Sequence, residues 1–161
     1  MIRIKHLSFL LIAICALTLS SCGGGGGGDD TPALTAEEQR LLDLVGTTGV
    51  TYEASSITFE NAPATGFDDF TLTLKGTASS KTYSTTDGEP VFKLTGGTWA
   101  FKGTSISEIL IDGNSNNTFV ITNFNASAGT FTLTVDFVAN GGVAAGTAST
   151  NGEYVFNLVK Q

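Results

Sequence analysis

Histidine occurs once in this sequence, at His6, and cysteine twice, at Cys15 and Cys22. His6 and Cys15 both lie in an N-terminal stretch that starts with Arg3 and Lys5 and continues as an apolar run from Leu7 to Leu19. That run covers 13 residues, too few to cross a hydrocarbon core that needs about 20. A charged start, a short apolar middle and small residues before a cysteine, here Leu19-Ser20-Ser21-Cys22, have the form of a secretion signal ending in a lipobox. An ordinary cleaved signal would use the same small residues, but the cysteine stands at the lipobox position. Residues 1–21 are therefore expected to be removed. The remainder, 22–161, has no histidine and one cysteine. Without imidazole it has no Ser-His-Asp triad, no Cys-His pair and no His-ligated zinc. With one thiol it has no disulfide and no thiolate cluster, although an exported chain would be permitted them.

Charge is also scarce, at 14% of residues, and basic charge most of all. Removing Arg3 and Lys5 from eight basic residues leaves six, Arg40, Lys75, Lys81, Lys93, Lys102 and Lys160. Fifteen acidic residues oppose them, a net charge of −9. Such a chain repels phosphate backbones, so no nucleic-acid partner is expected, and its scattered cations form no polybasic membrane patch. The acidity reads as solubility.

Three segments follow the signal. Cys22 is the expected lipidation site, a thioether-linked diacylglycerol with an acylated amine. Two or more chains anchor stably because each buried CH₂ contributes about 0.8 kcal/mol. Residues 22–34 then form a tether, with an unbroken glycine run from Gly23 to Gly28 before Asp29-Asp30. A coil of this length reaches roughly 20 Å. The acidic pair behind the cysteine either keeps the tether hydrated or acts as a surface-export signal. Residues 35–46 read as one short helix. Thr35-Ala36-Glu37-Glu38 fits a capping box, Leu41, Leu44 and Val45 share a face, and Gly46 fits the C′ stop.

The rest of 35–161 reads as all-β. Phe70-Thr71-Leu72-Thr73-Leu74-Lys75 and Phe131-Thr132-Leu133-Thr134-Val135-Asp136-Phe137 alternate apolar and polar residues, as an antiparallel sheet with one wet face requires. Trp99 to Lys102 and Tyr154 to Leu158 repeat the pattern. Further strands are predicted near 50–59, 81–86, 90–94, 106–112 and 117–124. Val50 and Tyr52 share one parity, Ile57 and Phe59 the other, which predicts a bulge near Ser55-Ser56. Asp87-Gly88, Asp112-Gly113 and Asn151-Gly152 suit tight turns. Eight or nine strands in a meander leave two exposed edges unless they close. The expected fold is therefore a barrel, or a curled sandwich, with the last strand on the first and the helix over one mouth.

In its central stretch the chain resembles a known group. Tyr83-Ser84-Thr85-Thr86-Asp87-Gly88-Glu89-Pro90-Val91-Phe92, then Gly97-Thr98-Trp99-Ala100-Phe101 and Ile109-Leu110-Ile111-Asp112-Gly113, are similar to small lipocalin-like lipoproteins of Bacteroidota. The resemblance implies a short helix, a single antiparallel barrel and an envelope location, and no activity. One departure is that Gly97-Thr98-Trp99 lies mid-chain, whereas lipocalins proper carry Gly-x-Trp on the first strand.

No catalytic constellation stands out. Asp112, Asn114 and Asn116 occupy the first, third and fifth positions of a calcium-type loop, but Asn117 and Asn123 replace its Gly and Glu, so a polar turn is expected and no metal. Asp68-Asp69 would point to opposite faces of a strand and reads as a solvated turn. Glu108 is expected to face outward. Tyr83 and Trp99 fall near strand ends, where exposed rings could stack on sugars. The expectation is a non-enzymatic lipoprotein, without cofactor, anchored through Cys22 in the outer membrane at the cell surface. It would bind a small apolar or glycan ligand. The alternative is an accessory subunit of an envelope complex, docking through a final strand that is apolar on both faces, with Val155 and Val159 opposite Tyr154, Phe156 and Leu158.

Overall fold

The computed structural model describes residues 32–139 and 151–161. The signal, Cys22, most of the tether and most of the small-residue stretch between Ala139 and Asn151 lie outside those residues. Helix α1 spans Ala36–Val45. Its capping box is complete: Glu38 N–H donates to Thr35 Oγ1 at 3.2 Å, and Thr35 N–H donates to the Glu38 carboxylate at 2.8 Å. The Thr35 N–H and the Thr35 hydroxyl, both donating to the Glu38 carboxylate at 2.8 Å, hold that carboxyl below its ordinary value. Gly46, at φ 57°, ends the helix and donates to Leu42 O at 2.8 Å.

Nine strands follow: β1 Val50–Phe59, β2 Ala62–Pro63, β3 Thr71–Gly76, β4 Lys81–Thr86, β5 Gly97–Phe101, β6 Glu108–Ile111, β7 Thr118–Asn125, β8 Thr130–Phe137 and β9 Gly152–Lys160. Eight form a closed antiparallel barrel in sequential order, with β1 pairing both β3 and β9, and β2 is a short extra strand on the far end of β1. The first strand meets the last from Tyr52↔Lys160 to Phe59↔Tyr154, which removes both edges. The predicted bulge falls at Ser55, where the register shifts between Ala54 and Ser56. It lets Tyr52 and Ala54 before it, and Ile57 and Phe59 after it, face the same interior. The Ser55 hydroxyl donates to Asn157 O at 3.1 Å and pins the extra residue.

Alternation then delivers the core. Tyr52, Leu72, Leu74, Tyr83, Trp99, Ile109, Phe119, Leu133, Val135, Phe156 and Leu158 all point inward and are buried. Across the sheet these positions fall in register: Phe119 opposes Val135, which opposes Tyr154, and Ile121 opposes Leu133, which opposes Phe156. The helix closes one mouth. Leu41, Leu44 and Val45 are buried, and the Tyr52 hydroxyl donates to Leu44 O at 2.8 Å, satisfying a carbonyl of the last helical turn. Burial, with the Asp43 charge adding to it, pushes the Tyr52 hydroxyl up to about 12. On the same mouth the Arg40 guanidinium lies 4.0 Å from the centre of the Phe124 ring.

One strand and one turn expectation are corrected. Residues 90–94 form no strand; they belong to a long connection from Asp87 to Gly96. There Phe92 N–H donates back to Gly88 O at 2.8 Å, a tight backbone loop that competes with extension. Asp87-Gly88 therefore opens a long loop instead of a two-residue hairpin. Asp112-Gly113 does supply positive φ at both residues, 52° and 68°, and begins a longer polar connection to Thr118.

Candidate functional site

The end of the barrel opposite the helix is plugged from within by side chains of two loops. Phe67 and Phe70 come from the β2–β3 connection and Phe92 from the β4–β5 connection. All three are buried. Phe92 packs against Phe70, Tyr83, Phe119 and Phe156 at ring-centre distances of 5.2–5.9 Å. Phe67 meets Tyr154 and Phe156 at 6.0 and 5.7 Å. An eight-stranded barrel is just wide enough for side chains to fill it, and here the loops supply rings that the strands do not.

Above this plug the two loops stand apart and leave a cleft of about 560 Å³. Its apolar walls are Phe59, Pro63 and Phe67 on one side, Pro90 and Leu94 on the other, with Tyr154 between. Phe59 and Tyr154 lie ring against ring at 4.8 Å. Leu94 is 55% exposed, an apolar side chain open to solvent at the rim. Asp87 and Glu89 supply the carboxylates. The Asp87 carboxylate accepts the Asp69 N–H at 3.3 Å, which ties one loop to the other.

A partly buried polar knot around Asp112 positions the Leu94 wall. Asp112 Oδ1 accepts the Thr98 N–H at 2.9 Å. Its Oδ2 accepts the Tyr83 hydroxyl at 3.1 Å and the Lys93 ammonium at 2.9 Å. Desolvation raises the Asp112 carboxyl, but the bonds from Lys93, Thr98 and Tyr83, together with the Lys93 charge, outweigh it and leave the group below its ordinary value. Burial first, and then the Asp112 charge, push the Tyr83 hydroxyl up to about 12. Gly97 is required at this crossing, since a Cβ there would run into the Asp112 carboxylate and the Tyr83 ring. The Thr85 hydroxyl adds a bond to Lys93 O at 3.3 Å. The knot therefore fixes the β4–β5 loop to β4, β5 and the end of β6.

The residues singled out in the sequence take simple places. Asp112 is engaged by its own neighbours, so its carboxylate serves the loop knot. Asp68 and Asp69 are exposed. Glu108 faces outward and pairs with Lys102 at 3.4 Å. Tyr83 and Trp99 are only 4% and 3% exposed, which corrects the reading of them as sugar-stacking rings; the Trp99 indole donates to Lys75 O at 3.2 Å inside the barrel. Among the described residues no group of three or more His, Cys, Asp or Glu could hold a metal ion, and no helix is long and apolar enough to cross a membrane. A second hollow, of about 430 Å³, lies at the helix end between the 46–51 turn and Lys160-Gln161.

No family model, curated protein or solved structure matches this chain. The cleft and its wall residues, brought together from 59–67, 87–94 and 154, were not visible in the sequence. The one signal that could have found them is the concentration of Phe and Pro in stretches that do not alternate.

Proposed function

We propose that this protein is a non-enzymatic, lipid-anchored binding module of the outer membrane, held through Cys22 with its domain at the cell surface, and that it takes a small apolar or glycan ligand in the cleft between its β2–β3 and β4–β5 loops. The carrying observation is the cleft itself: about 560 Å³, walled by Phe59, Phe67 and Tyr154 at the barrel end opposite α1, with Asp87 and Glu89 beside them. Aromatic walls with two carboxylates at the rim are the usual composition of a small-ligand site, and the volume falls within the range of such sites. The Phe67, Phe70 and Phe92 plug argues for a mouth site and against cargo carried inside the barrel. The resemblance to lipocalin-like lipoproteins belongs to this proposal.

The accessory-subunit reading rests on outward valines. Val159 is 39% exposed, but its neighbours across the sheet are Thr130 and Glu53. Val155 lies between Thr134 and Thr58. Interrupted by threonine and glutamate, these side chains make no continuous apolar patch of the kind that marks an interface. The cleft is therefore the better-supported site.

Two experiments test the proposal. Palmitate labelling should follow the wild type and vanish in Cys22→Ala, with protease shaving of intact cells removing the domain; persistent labelling refutes the anchor. NMR titration with a neutral oligosaccharide, a medium-chain alcohol and short peptides should move the amides of Ala64, Gly66 and Leu94. Titrations that leave those amides unmoved refute the site.

A further inference from the structure

The charge of this domain is divided between its two ends. Arg40, Lys75, Lys81, Lys102 and Lys160 all sit at the helix end, where Glu37, Glu38, Asp43, Glu53 and Glu108 balance them. At the cleft end the strand register places Glu60, Asp68, Asp69, Asp87, Glu89, Asp136 and Glu153. Among the described residues the only cation at that end is Lys93, already paired with Asp112. The net negative charge of the domain thus lies around one mouth, and the apolar cleft opens in the middle of it.

Resting on the cleft reading above, we propose that the occupant is a basic peptide segment in which lysine or arginine alternates with apolar side chains. Charge complementarity selects it. Carboxylate- and phosphate-bearing ligands approach this end against its field, whereas a cationic chain is drawn in from a distance. At short range the cleft suits both parts of a long basic side chain. The aliphatic stem lies along Leu94 and the Phe59 ring, and the charged head reaches Asp87 and Glu89 at the rim. The half-buried Phe59 ring, backed by Tyr154 at 4.8 Å, offers a face on which a guanidinium or ammonium is held by cation–π attraction. An apolar residue next to the basic one would sit on the Pro63 and Pro90 walls. The volume of about 560 Å³ exceeds what one side chain needs, so the site fits a few consecutive residues.

The test is titration of the full-length protein with an acetylated, amidated Leu-Lys-Phe-Lys peptide, its Leu-Gln-Phe-Gln counterpart and a neutral oligosaccharide, by calorimetry and by NMR. The lysine peptide should bind with shifts at Ala64, Gly66 and Leu94, at least five-fold more tightly than the glutamine peptide. Asp87→Asn with Glu89→Gln should weaken it by about 4- to 25-fold, about two- to five-fold per exposed ion pair. Glu53→Gln, at the far end, should leave it unchanged. Equal affinity for the two peptides, or cleft shifts with the oligosaccharide alone, overturns this inference and keeps the cleft as a site. Shifts with the lysine peptide only at the helix end also overturn it. No cleft shift with any of the three overturns the binding-module reading as well.

Discussion

Phe92 lies in a loop, yet it is 2% exposed and touches four other aromatic rings. If it is a plug inserted into the barrel, Phe92→Ala should behave as a core deletion. An aromatic side chain buries about 150–250 Å², which at about 25 cal/mol per Å² is roughly 4–6 kcal/mol of transfer energy. Alanine retains part of that, and Phe→Ala changes in cores cost about 3–5 kcal/mol. Total stability for a domain is on the order of 5–15 kcal/mol, so this one loop residue would carry a large share. Urea unfolding followed by the fluorescence of Trp99, itself buried, reads the loss directly. The midpoint should fall strongly with little change in slope. Phe92→Leu should recover most of the difference, since it restores bulk at the same place. The variant should also weaken any ligand at the cleft, because Phe92 holds the loop that carries Pro90 and Leu94. A loss below about 1 kcal/mol, the scale of a surface substitution, would refute the plug and with it the account of the filled mouth.

Asp112→Ala should cost about 1–3 kcal/mol, because it leaves the buried Tyr83 hydroxyl without its acceptor and removes the bond from the exposed Thr98 N–H. Its carboxyl is held low in the folded state, so its contribution is present above the unfolded value near 4 and is lost as pH falls through the folded value. Thermal melts from pH 6 down to pH 3 should therefore drop more steeply in the wild type than in Asp112→Asn. Tyr52 and Tyr83, raised to about 12, work in the opposite direction. Their contribution is full below the unfolded value near 10 and disappears as pH rises through the folded value, about 12. Ultraviolet titration should show a tyrosine fraction ionising only together with alkaline unfolding. A smooth titration near pH 10 that precedes unfolding would contradict the burial of both hydroxyls.

The parts of this fold that were legible in the sequence are those that obey a period. Threonine alternating with phenylalanine, leucine and valine marks the strands, and the parity switch between Tyr52 and Ile57 locates the Ser55 bulge. The cap is legible because Thr35 and Glu38 bond each other locally. Closure followed from the cost of unpaired edges, without any pairwise signal. The loops resisted because their order is not local. Val91-Phe92 has the composition of a strand, and only the barrel interior explains why Phe92 turns inward. Tyr83 and Trp99 read from sequence as near strand ends, where exposure is expected, but they sit within β4 and at the middle of β5 and face inward; the Asp112 and Lys75 acceptors that bond them lie 29 and 24 residues away. The cleft is the least legible feature, since its walls meet only after the barrel has formed.

The seam between β1 and β9 is the most non-local pairing in the sheet. Ser55 and Asn157 bond across 102 positions of sequence, so the contact that closes the barrel joins nearly the most distant parts of the domain. Such non-local pairings are slow to form, because the chain must lose loop entropy before they reward it. Until β9 arrives, β1 and β8 each hold a bare edge with half of an aromatic core behind it. A chain delivered from its N-terminus would spend its whole passage in that state, unable to complete a barrel and so unable to jam a narrow pore with a finished fold. It would also depend on some means of keeping two sticky strand edges apart until the last of its pairing residues came through.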